Sequence, residues 1–324
     1  MSASKRAVYL GVDLGSVSTN FVLVDNKRPA EQSVVWKKYL RTQGAPLKVL
    51  KEGLGLLEKE GGGWQVVGVG STGSGRELAG AVLGADVVKN EITAHAVAAL
   101  SYDPQVATIV EIGGQDSKII ILRDGIVVDF AMNTVCAAGT GSFLDQQALR
   151  LNIPIEEFGP LALGSKNPVR IAGRCTVFAE SDMIHKQQLG HCTADILAGL
   201  CSAMVRNYLN NVAKGKDLRP QVFFQGGVAA NVGMKRFLEE ALSLPVKVPQ
   251  DYDVMGAVGA AILAREHLES KQRKTSFCGL KIAHSDYQNK TFECSGCPNR
   301  CEIVEILRDG NPIACWGSRC GKYS

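Results

Sequence analysis

The apolar residues of this chain follow two different periods. Short apolar runs bounded by glycine or polar turn residues predict buried β-strands; they are residues 7–10, 21–25, 66–69, 110–112, 119–122, 126–130 and 222–225. Apolar residues spaced three or four apart predict amphipathic helices; these cover residues 46–60, 77–83, 143–151, 193–213, 233–242 and 254–267. Strands that alternate with helices in this way predict an α/β fold.

Two of the strand ends carry the same polar pattern. The first turn region, residues 11–19, contains Asp13, Gly15, Ser16, Ser18 and Thr19. The second, residues 111–118, contains Glu111, Gly113, Gly114, Gln115, Asp116 and Lys118. Backbone N–H groups and hydroxyls of such turns can wrap phosphate oxygens, and a carboxylate at the strand end can enter the shell of Mg²⁺. Either turn alone could be an ordinary β-turn, but the repeat predicts two related α/β halves facing one another across a cleft.

A third glycine turn follows the apolar strand at residues 222–225. Gly226 and Gly227 come directly after this strand, and Asn231 precedes the predicted helix 233–242. Paired glycines at a strand end allow a flat base or a ribose to approach the backbone closely. The three turns in this order predict a site for a nucleoside triphosphate with Mg²⁺.

Two cysteines lie directly before predicted helix starts. Cys136 precedes small residues and Thr140, which can cap the helix that follows, and Cys175 precedes Thr176 and a second helix with an early carboxylate. The unpaired N–H groups and the partial charge of about +0.5 at a helix N-terminus favour the thiolate form. Two such thiolates supply half of a four-thiolate metal site, and a second copy of the chain could supply the other half.

The composition limits the classes of partner. The net charge of +4 is too small to predict a nucleic acid or an anionic membrane as partner, and the longest apolar run, residues 254–264, is too short to span a bilayer. The ten cysteines follow no secretion signal. They therefore predict metal ligation or redox work in a reducing cytoplasm rather than disulfides.

These motifs together resemble one family, the ATP-dependent activators of 2-hydroxyacyl-CoA dehydratases. That family includes the ATPase subunits of benzoyl-CoA reductase and the reductases of double-cubane cluster proteins. The resemblance spans roughly residues 8–264 and rests on residues 11–19, 72–76, 111–118, 132–133, 136–144, 175–181 and 226–231. The two cysteine motifs distinguish the family from sugar kinases, Hsp70 and actin, which share only the phosphate and adenosine turns.

The resemblance implies an actin-like (ribonuclease H-like, duplicated) ATPase fold of two α/β domains around a nucleotide cleft. It further implies a homodimer bridged by one [4Fe–4S] cluster, with Cys136 and Cys175 of each subunit as ligands. Such a protein uses ATP in anaerobic metabolism to pass a low-potential electron to an iron–sulfur partner enzyme, and a ferredoxin or flavodoxin is the donor. Asp13 and Glu111 are the expected catalytic carboxylates, and Gln115 is the residue expected to orient the attacking water.

The sequence departs from the family at three points. Asn20 replaces a usual lysine, Glu111 stands where the wider superfamily has aspartate, and about sixty residues follow Ala264. The expected organisation is a first half over residues 1–98 with a returning helix over 253–267, a second half over 99–252, a polar linker over 268–276, and a Cys-rich tail over 277–324.

The tail contains a candidate metal site of its own. Cys294, Cys297 and Cys301 have C-x₂-C-x₃-C spacing, and Cys320 follows a predicted hairpin that would return it to the first three. Cys315 could replace Cys320. Zinc and a second [4Fe–4S] cluster both suit four thiolates, and a chain that handles electrons favours the cluster slightly. So small a segment should need its metal to fold.

Two other functions remain open at this level. An actin-like small-molecule kinase would need a catalytic base in the cleft and leaves Cys136 and Cys175 unexplained. An actin-like ATPase scaffold with structural zinc in the tail is the third interpretation. Iron content separates the leading hypothesis from both.

Overall fold

The computed structural model describes residues 5–133 and 137–323. The strands are β1 (Arg6–Leu14), β2 (Ser18–Val24), β3 (Val34–Arg41), β4 (Trp64–Thr72), β5 (Val87–Val88), β6 (Thr108–Ile112), β7 (Ser117–Arg123), β8 (Ile126–Asn133), β9 (Val222–Gln225), β10 (Val246–Lys247), β11 (Tyr287–Glu293), β12 (Glu302–Arg308) and β13 (Asn311–Trp316). The helices are α1 (Ala30–Ser33), α2 (Pro46–Glu60), α3 (Arg76–Leu83), α4 (Glu91–Tyr102), α5 (Gly141–Arg150), α6 (Ile155–Leu163), α7 (Thr176–Gln188), α8 (Thr193–Asn211), α9 (Val232–Leu242) and α10 (Met255–Lys271). Short 3₁₀ turns occur at Ala137–Gly139, Gly227–Ala230 and Leu280–His284.

The chain divides into two compact units, Met1–Ala94 with Gly256–Ser324, and His95–Met255. Each unit is built on a five-stranded sheet, with strand orders β3-β2-β1-β4-β5 and β8-β7-β6-β9-β10. In the first sheet the central strand β1 pairs antiparallel with β2 and parallel with β4. In the second sheet β6 pairs in the same way with β7 and β9. The two units therefore share one topology, as the repeated hairpin predicts.

The register shows that the repeat extends to single residues. Asp13 on β1 lies opposite Asn20 on β2 and Thr72 on β4. Glu111 on β6 lies opposite Lys118 on β7 and Gln225 on β9. Asp13 and Glu111 therefore occupy equivalent positions in the two sheets, as predicted. Asn20 occupies the position in the first sheet that Lys118 occupies in the second.

Amphipathic helices cover the first sheet. On α2 the buried residues Leu50, Leu54 and Leu57 recur every three or four positions and pack against Leu10 and Phe21 in one core. A proline at the first helical position starts α2, and the Gly61 N–H donates to the Leu57 carbonyl at 2.7 Å to end it. The helix predicted over residues 46–60 is confirmed.

Helix α10 packs on the first sheet at unusually short range. A Cβ atom at Gly11 would overlap the Ala257 carbonyl, and one at Gly70 would overlap the Ala260 carbonyl. Glycine in β1 and β4 is therefore required by this close helix approach. The helix continues to Lys271, beyond the predicted end at residue 267, through polar residues that the sequence assigns to a linker.

Two local expectations differ from the structure. The first hairpin turn contains only residues 15–17, because Val12 and Leu14 are buried and extend β1. Thr140 is the N-cap residue of α5, but its hydroxyl donates to the Ala137 carbonyl at 2.8 Å and does not accept a helix N–H.

The C-terminal region forms an antiparallel sheet in the order β11-β12-β13. Ile282 and Ala283, just before β11, are buried in the core of the first unit. Before them, the Thr275 hydroxyl and the Ser276 N–H both donate to Asp86, each at 2.7 Å. The tail thus packs on the first unit instead of forming a body of its own. Among the described residues, none of the helices combines the length and the apolar character needed to cross a membrane.

Candidate functional site

The turn between β1 and β2 is held by backbone and hydroxyl hydrogen bonds. The Gly15 N–H donates to the Ser18 carbonyl at 2.9 Å. Thr42 donates its hydroxyl to the Gly15 carbonyl at 2.8 Å and lies 2.9 Å from the buried Thr19 hydroxyl. Thr19 therefore supports the turn from beneath, whereas Ser16 is exposed at its tip. Asp13, at the end of β1, is half-buried.

The turn between β6 and β7 repeats this geometry around a buried cation. The Gly113 N–H donates to the Asp116 carbonyl at 3.0 Å. Lys118, only 5% exposed, places its Nζ 3.1 Å from Glu111 Oε2 and 2.8 Å from Asp116 Oδ1. Burial alone lowers the pKa of Lys118, but the Glu111 and Asp116 carboxylates outweigh burial and raise the pKa above its ordinary value. The lysine stays charged at neutral pH, and its stabilisation is lost only as the pH rises into the strongly alkaline range.

A glycine with positive φ directly follows β4 in the first unit and β9 in the second. Gly73 has φ of 95° and Gly226 has φ of 86°. A Cβ at Gly73 would lie 2.5 Å from Asp13 Oδ1, and a Cβ at Gly226 would lie 2.6 Å from Glu111 Oε1. Both glycines therefore leave room above an acidic side chain, and the backbone at each position strongly favours glycine.

The third turn opens helix α9. Asn231 is the N-cap residue, and its Oδ1 accepts the Met234 N–H at 3.0 Å. Its Nδ2 is buried and has no partner among the described residues. At the start of this turn the Gly226 N–H donates to the Tyr252 carbonyl at 2.9 Å. A buried amide donor beside a glycine turn is available to a ligand oxygen or ring nitrogen.

Helix α5 is attached directly to the second turn. The Gly141 N–H donates to the Gly113 carbonyl at 2.8 Å, and the Ser142 N–H donates to the Gly114 carbonyl at 2.9 Å. The Ser142 hydroxyl donates to the same Gly114 carbonyl at 2.6 Å. The first residues of α5 are therefore hydrogen-bonded to the backbone of the candidate phosphate turn. The role of Ser142 could not be predicted from the sequence, because no spacing rule joins residues 28 positions apart.

Cys175 occupies the N-cap position of α7, as the sequence predicts for the helix start. Its carbonyl accepts the Ala179 N–H at 3.0 Å and begins the helix. The next residues, Val177 and Phe178, are 66% and 65% exposed. The early carboxylate, Glu180, lies past the first turn and pairs with Arg150, the last residue of α5, at 2.8 Å. The helices α5 and α7 are thus linked to one another.

Cys136 lies outside the described residues. The 3₁₀ turn Ala137–Gly139, which begins at the next residue, contacts both α7 and α5. A Cβ at Gly139 would lie 3.0 Å from Asn207 Oδ1, so this turn is closely packed. The chain that leads away from Cys136 is therefore fixed beside the helix that Cys175 begins.

The remaining cysteines of the second unit have other surroundings. Cys201 is fully buried in α8, and burial raises its pKa to about 12, so it is a core thiol, as predicted. Cys192 is an exposed N-cap residue of α8 beside Asp195. His95 is a buried core histidine, as expected, with Nδ1 2.8 Å from Gln225 Oε1.

Four of the tail cysteines lie beyond the strand ends of the C-terminal sheet. Cys294 is buried, Cys301 is half-buried, and Cys297 and Cys320 are exposed. Within residues 5–133 and 137–323, no group of three or more His, Cys, Asp or Glu side chains is gathered closely enough to hold a metal ion.

Comparison with known proteins decides the family. The model of the BadF/BadG/BcrA/BcrD ATPase family matches residues 10–264. This chain belongs to that family. Its fold is accordingly the actin-like ATPase fold that the resemblance implies.

Individual relatives cover the same part of the chain. The (R)-2-hydroxyglutaryl-CoA dehydratase activating ATPase of Acidaminococcus fermentans is 35% identical over 79% of this chain and 96% of its own length. The 2-hydroxyisocaproyl-CoA dehydratase activator of Clostridioides difficile is 32% identical over 82% of this chain and 97% of its own. A solved structure of the Clostridium difficile activator with bound ADPNP has a TM-score of 0.71 and 31% identity, covering 82% of this chain and 97% of that one.

Proposed function

We propose that this member of the BadF/BadG/BcrA/BcrD ATPase family is an ATP-hydrolysing activator that drives a low-potential electron into an iron–sulfur partner enzyme. Two copies of the chain would share one [4Fe–4S] cluster through Cys136 and Cys175 of each. The observation that carries the proposal is the arrangement within the second unit. A phosphate-type turn is hydrogen-bonded to α5, and α5 is ion-paired to the helix that begins at Cys175.

The turns suit a nucleotide with Mg²⁺. The space that Gly226 leaves above Glu111 and the unpaired Nδ2 of Asn231 suit a ribose or base, with Gly227 completing the turn. Gly113 and Gly114 form the turn that would lie against the phosphate oxygens, and beneath it Lys118 balances the Glu111 and Asp116 carboxylates. From the first unit, Gly15, Ser16 and Ser18 would bind phosphate, Thr19 would support the turn, and Asp13 would enter the metal shell.

The Cys175 environment suits a shared cluster. The N–H groups at the start of α7 would offset part of the negative charge of a cluster with four thiolate ligands. Bound in this way, a [4Fe–4S] cluster supplies a one-electron couple at low potential. Val177 and Phe178 are large apolar side chains exposed next to Cys175, and a second copy of the chain would cover them.

The hydrogen bonds also suggest how nucleotide acts on the cysteines. A phosphate that binds the turn 113–116 differently before and after hydrolysis changes the position of the Gly113 and Gly114 carbonyls. The Gly141 and Ser142 donors then move with these carbonyls, and α5 transmits the shift to α7 through Arg150 and Glu180. The nucleotide can shift the equilibrium between these two positions of α5 and α7 only if ATP and ADP differ in their affinity for them.

The names of the relatives suggest the partner enzyme that accepts the electron. They are activators of 2-hydroxyacyl-CoA dehydratases. We therefore propose a dehydratase of this type, or a double-cubane cluster protein, as the electron acceptor. A ferredoxin or flavodoxin would return the electron to the activator.

The Gln115→Ala variant tests the proposal. Gln115 is exposed at the tip of the second turn and carries both a donor and an acceptor for a water molecule. We expect the variant to bind ATP with unchanged affinity but to hydrolyse it about a hundredfold more slowly. It should also lose the MgATP-dependent transfer of electrons from reduced protein to a [4Fe–4S] acceptor.

The Gln105→Ala variant is the matched control, because Gln105 is an exposed glutamine of the same unit, away from the turns. Its turnover should equal that of the unchanged protein. If Gln115→Ala hydrolyses ATP at the normal rate, the role passes to Asp116 or Glu111. If the unchanged protein transfers electrons equally well without ATP, the proposed function is wrong.

A further inference from the structure

The C-terminal sheet brings three cysteines to one end. Cys294 directly follows β11 and Cys301 directly precedes β12, and these two strands pair up to Glu293 and Glu302. The Cys294 N–H donates to the Cys301 carbonyl at 2.8 Å, so the two residues lie side by side. Cys297 lies in the loop between them, where the Arg300 N–H donates to its carbonyl at 3.2 Å.

The loop after β11 has the geometry of a metal-binding turn. The Gly296 N–H donates to Cys294 Sγ at 3.4 Å. A backbone N–H directed at a cysteine sulfur stabilises the thiolate and fixes its orientation, as the outer-shell partners of metal ligands do. Cys294 is only 5% exposed, so its sulfur faces inward. The C-x₂-C spacing is the one that structural four-thiolate sites use.

The last strand returns the fourth cysteine to the same end. β13 runs antiparallel to β12, with Trp316 opposite Val304. A Cβ at Gly317 would overlap the Glu302 carbonyl, so the chain leaves β13 directly beside Cys301. Three residues later comes Cys320.

The chain after Cys320 is folded against the start of the loop. The Tyr323 ring packs edge-on to Phe292 with centroids 5.5 Å apart. The Ser318 hydroxyl donates to the Tyr323 carbonyl and accepts its N–H, both at 3.0 Å. Lys322 Nζ lies 3.6 Å from the position of a Cβ at Gly296.

The two remaining tail cysteines lie elsewhere. The Cys278 N–H donates to the Leu83 carbonyl at 3.0 Å, and Cys278 lies beside Arg308 at the far end of β12. A seven-residue strand is about 20 Å long, which separates Cys278 from Cys301. Cys315 lies within β13 opposite Glu305, three residues into β12.

Basic residues are close to the four cysteines in the sequence. Arg300 precedes Cys301, Arg319 precedes Cys320, and Lys322 lies against the loop. Four thiolates around a divalent ion leave a net charge of about −2, which nearby cations offset. Cys297 and Cys320 are exposed, so metal binding would draw them and their loops in toward Cys294.

We propose that Cys294, Cys297, Cys301 and Cys320 bind a metal through four thiolates, as one zinc ion or one [4Fe–4S] cluster per chain. The proposal goes beyond the ATPase family, whose match ends at residue 264. It is also independent of the bridging cluster, because it needs neither Cys136 nor Cys175.

The test uses full-length protein that carries Cys136→Ser and Cys175→Ser, so that the bridging site contributes no metal. Zinc, iron and acid-labile sulfide are measured per chain after anaerobic reconstitution, either with zinc alone or with iron and sulfide. We expect one zinc or four irons with four sulfides. Adding Cys297→Ser or Cys320→Ser should lower the bound metal at least about tenfold. Both residues are exposed, so their loss opens no cavity, and far-UV circular dichroism should remain unchanged.

Cys278→Ser and Cys315→Ser are the controls and should leave the metal content unchanged. Stoichiometric zinc assigns a structural site, and iron with sulfide assigns a redox site. Protein that folds without binding either metal overturns the proposal. So does metal content that is unaffected by Cys297→Ser and Cys320→Ser, or that is lost with Cys315→Ser and kept with Cys320→Ser.

Discussion

Replacing Cys175 with serine is expected to remove the bridging iron–sulfur centre from the protein. Cys175 is the N-cap residue of α7, and a serine hydroxyl is a far weaker iron ligand than a cysteine thiolate. A symmetric dimer loses two of its four cluster ligands at once. Bound iron should therefore fall by about a hundredfold or more, beyond the 10- to 100-fold effects on metal affinity that are typical of changes in outer-shell partners. Iron, sulfide and the visible spectrum are measured in protein that also carries Cys297→Ser and Cys320→Ser, so that the tail contributes no metal.

The matched control is Cys192→Ser. Cys192 is also an N-cap cysteine of the second unit and is exposed, but it begins α8, beside Asp195. Iron content should be unchanged in this variant, and the affinity for ATP should be nearly unchanged in both variants. If Cys175→Ser keeps full iron and its spectrum, Cys175 is not a ligand.

Of the substitutions considered for this protein, Lys118→Met should lower the free energy of unfolding most. Lys118 and Glu111 are 5% and 6% exposed at the side chain, and their closest atoms lie 3.1 Å apart. Methionine has a similar volume but leaves the Glu111 carboxylate buried without its cation. Breaking a buried pair in this way costs about 3–5 kcal/mol of unfolding free energy. Urea unfolding of nucleotide-free protein measures the change.

Two variants separate this effect from a general loss of packing. The Glu111→Gln/Lys118→Met double variant has no buried charge and should recover most of the lost free energy. Lys235→Met removes an exposed pair with Glu239 and should change stability by less than about 0.5 kcal/mol. Equal losses in the single and double Lys118 variants would show that the ion pair is not the cause.

The two units differ at the position of this lysine. Asn20 stands opposite Asp13 where Lys118 stands opposite Glu111. The Asn20 Oδ1 is buried and has no partner among the described residues. The two units therefore share the strand register, but only the second has a positively charged residue opposite its strand-end carboxylate. In the proposed function Lys118 therefore balances the Glu111 carboxylate in the second unit, whereas Asn20 brings no charge to Asp13 in the first.

Much of the fold follows from local signals in the sequence. Glycine ends both central strands, and the polar residues after them repeat in order, so the duplicated hairpin and the match of Asp13 with Glu111 could be predicted. Helix α2 could be predicted to the residue, because a proline starts it and Gly61 ends it. The start of α7 after Cys175 was equally clear.

The rest depends on contacts between distant residues. The hydrogen bonds from Ser142 to Gly114 and from Thr42 to Gly15 join segments that no periodicity relates. Gly11 resembles a turn residue in the sequence, yet it lies inside β1, where α10 packs too closely for a side chain. The tail reads as a separate segment, but its Ile282 and Ala283 complete the core of the first unit.

The stoichiometry of iron tests whether two chains share one cluster. Protein with Cys297→Ser and Cys320→Ser is purified anaerobically, and its iron, acid-labile sulfide and native mass are determined together. We expect a brown dimer with four irons and four sulfides for every two chains, and a colourless protein when Cys136→Ser is added. A colourless dimer, a monomer that holds four irons alone, or iron that survives the loss of Cys136 would contradict this expectation.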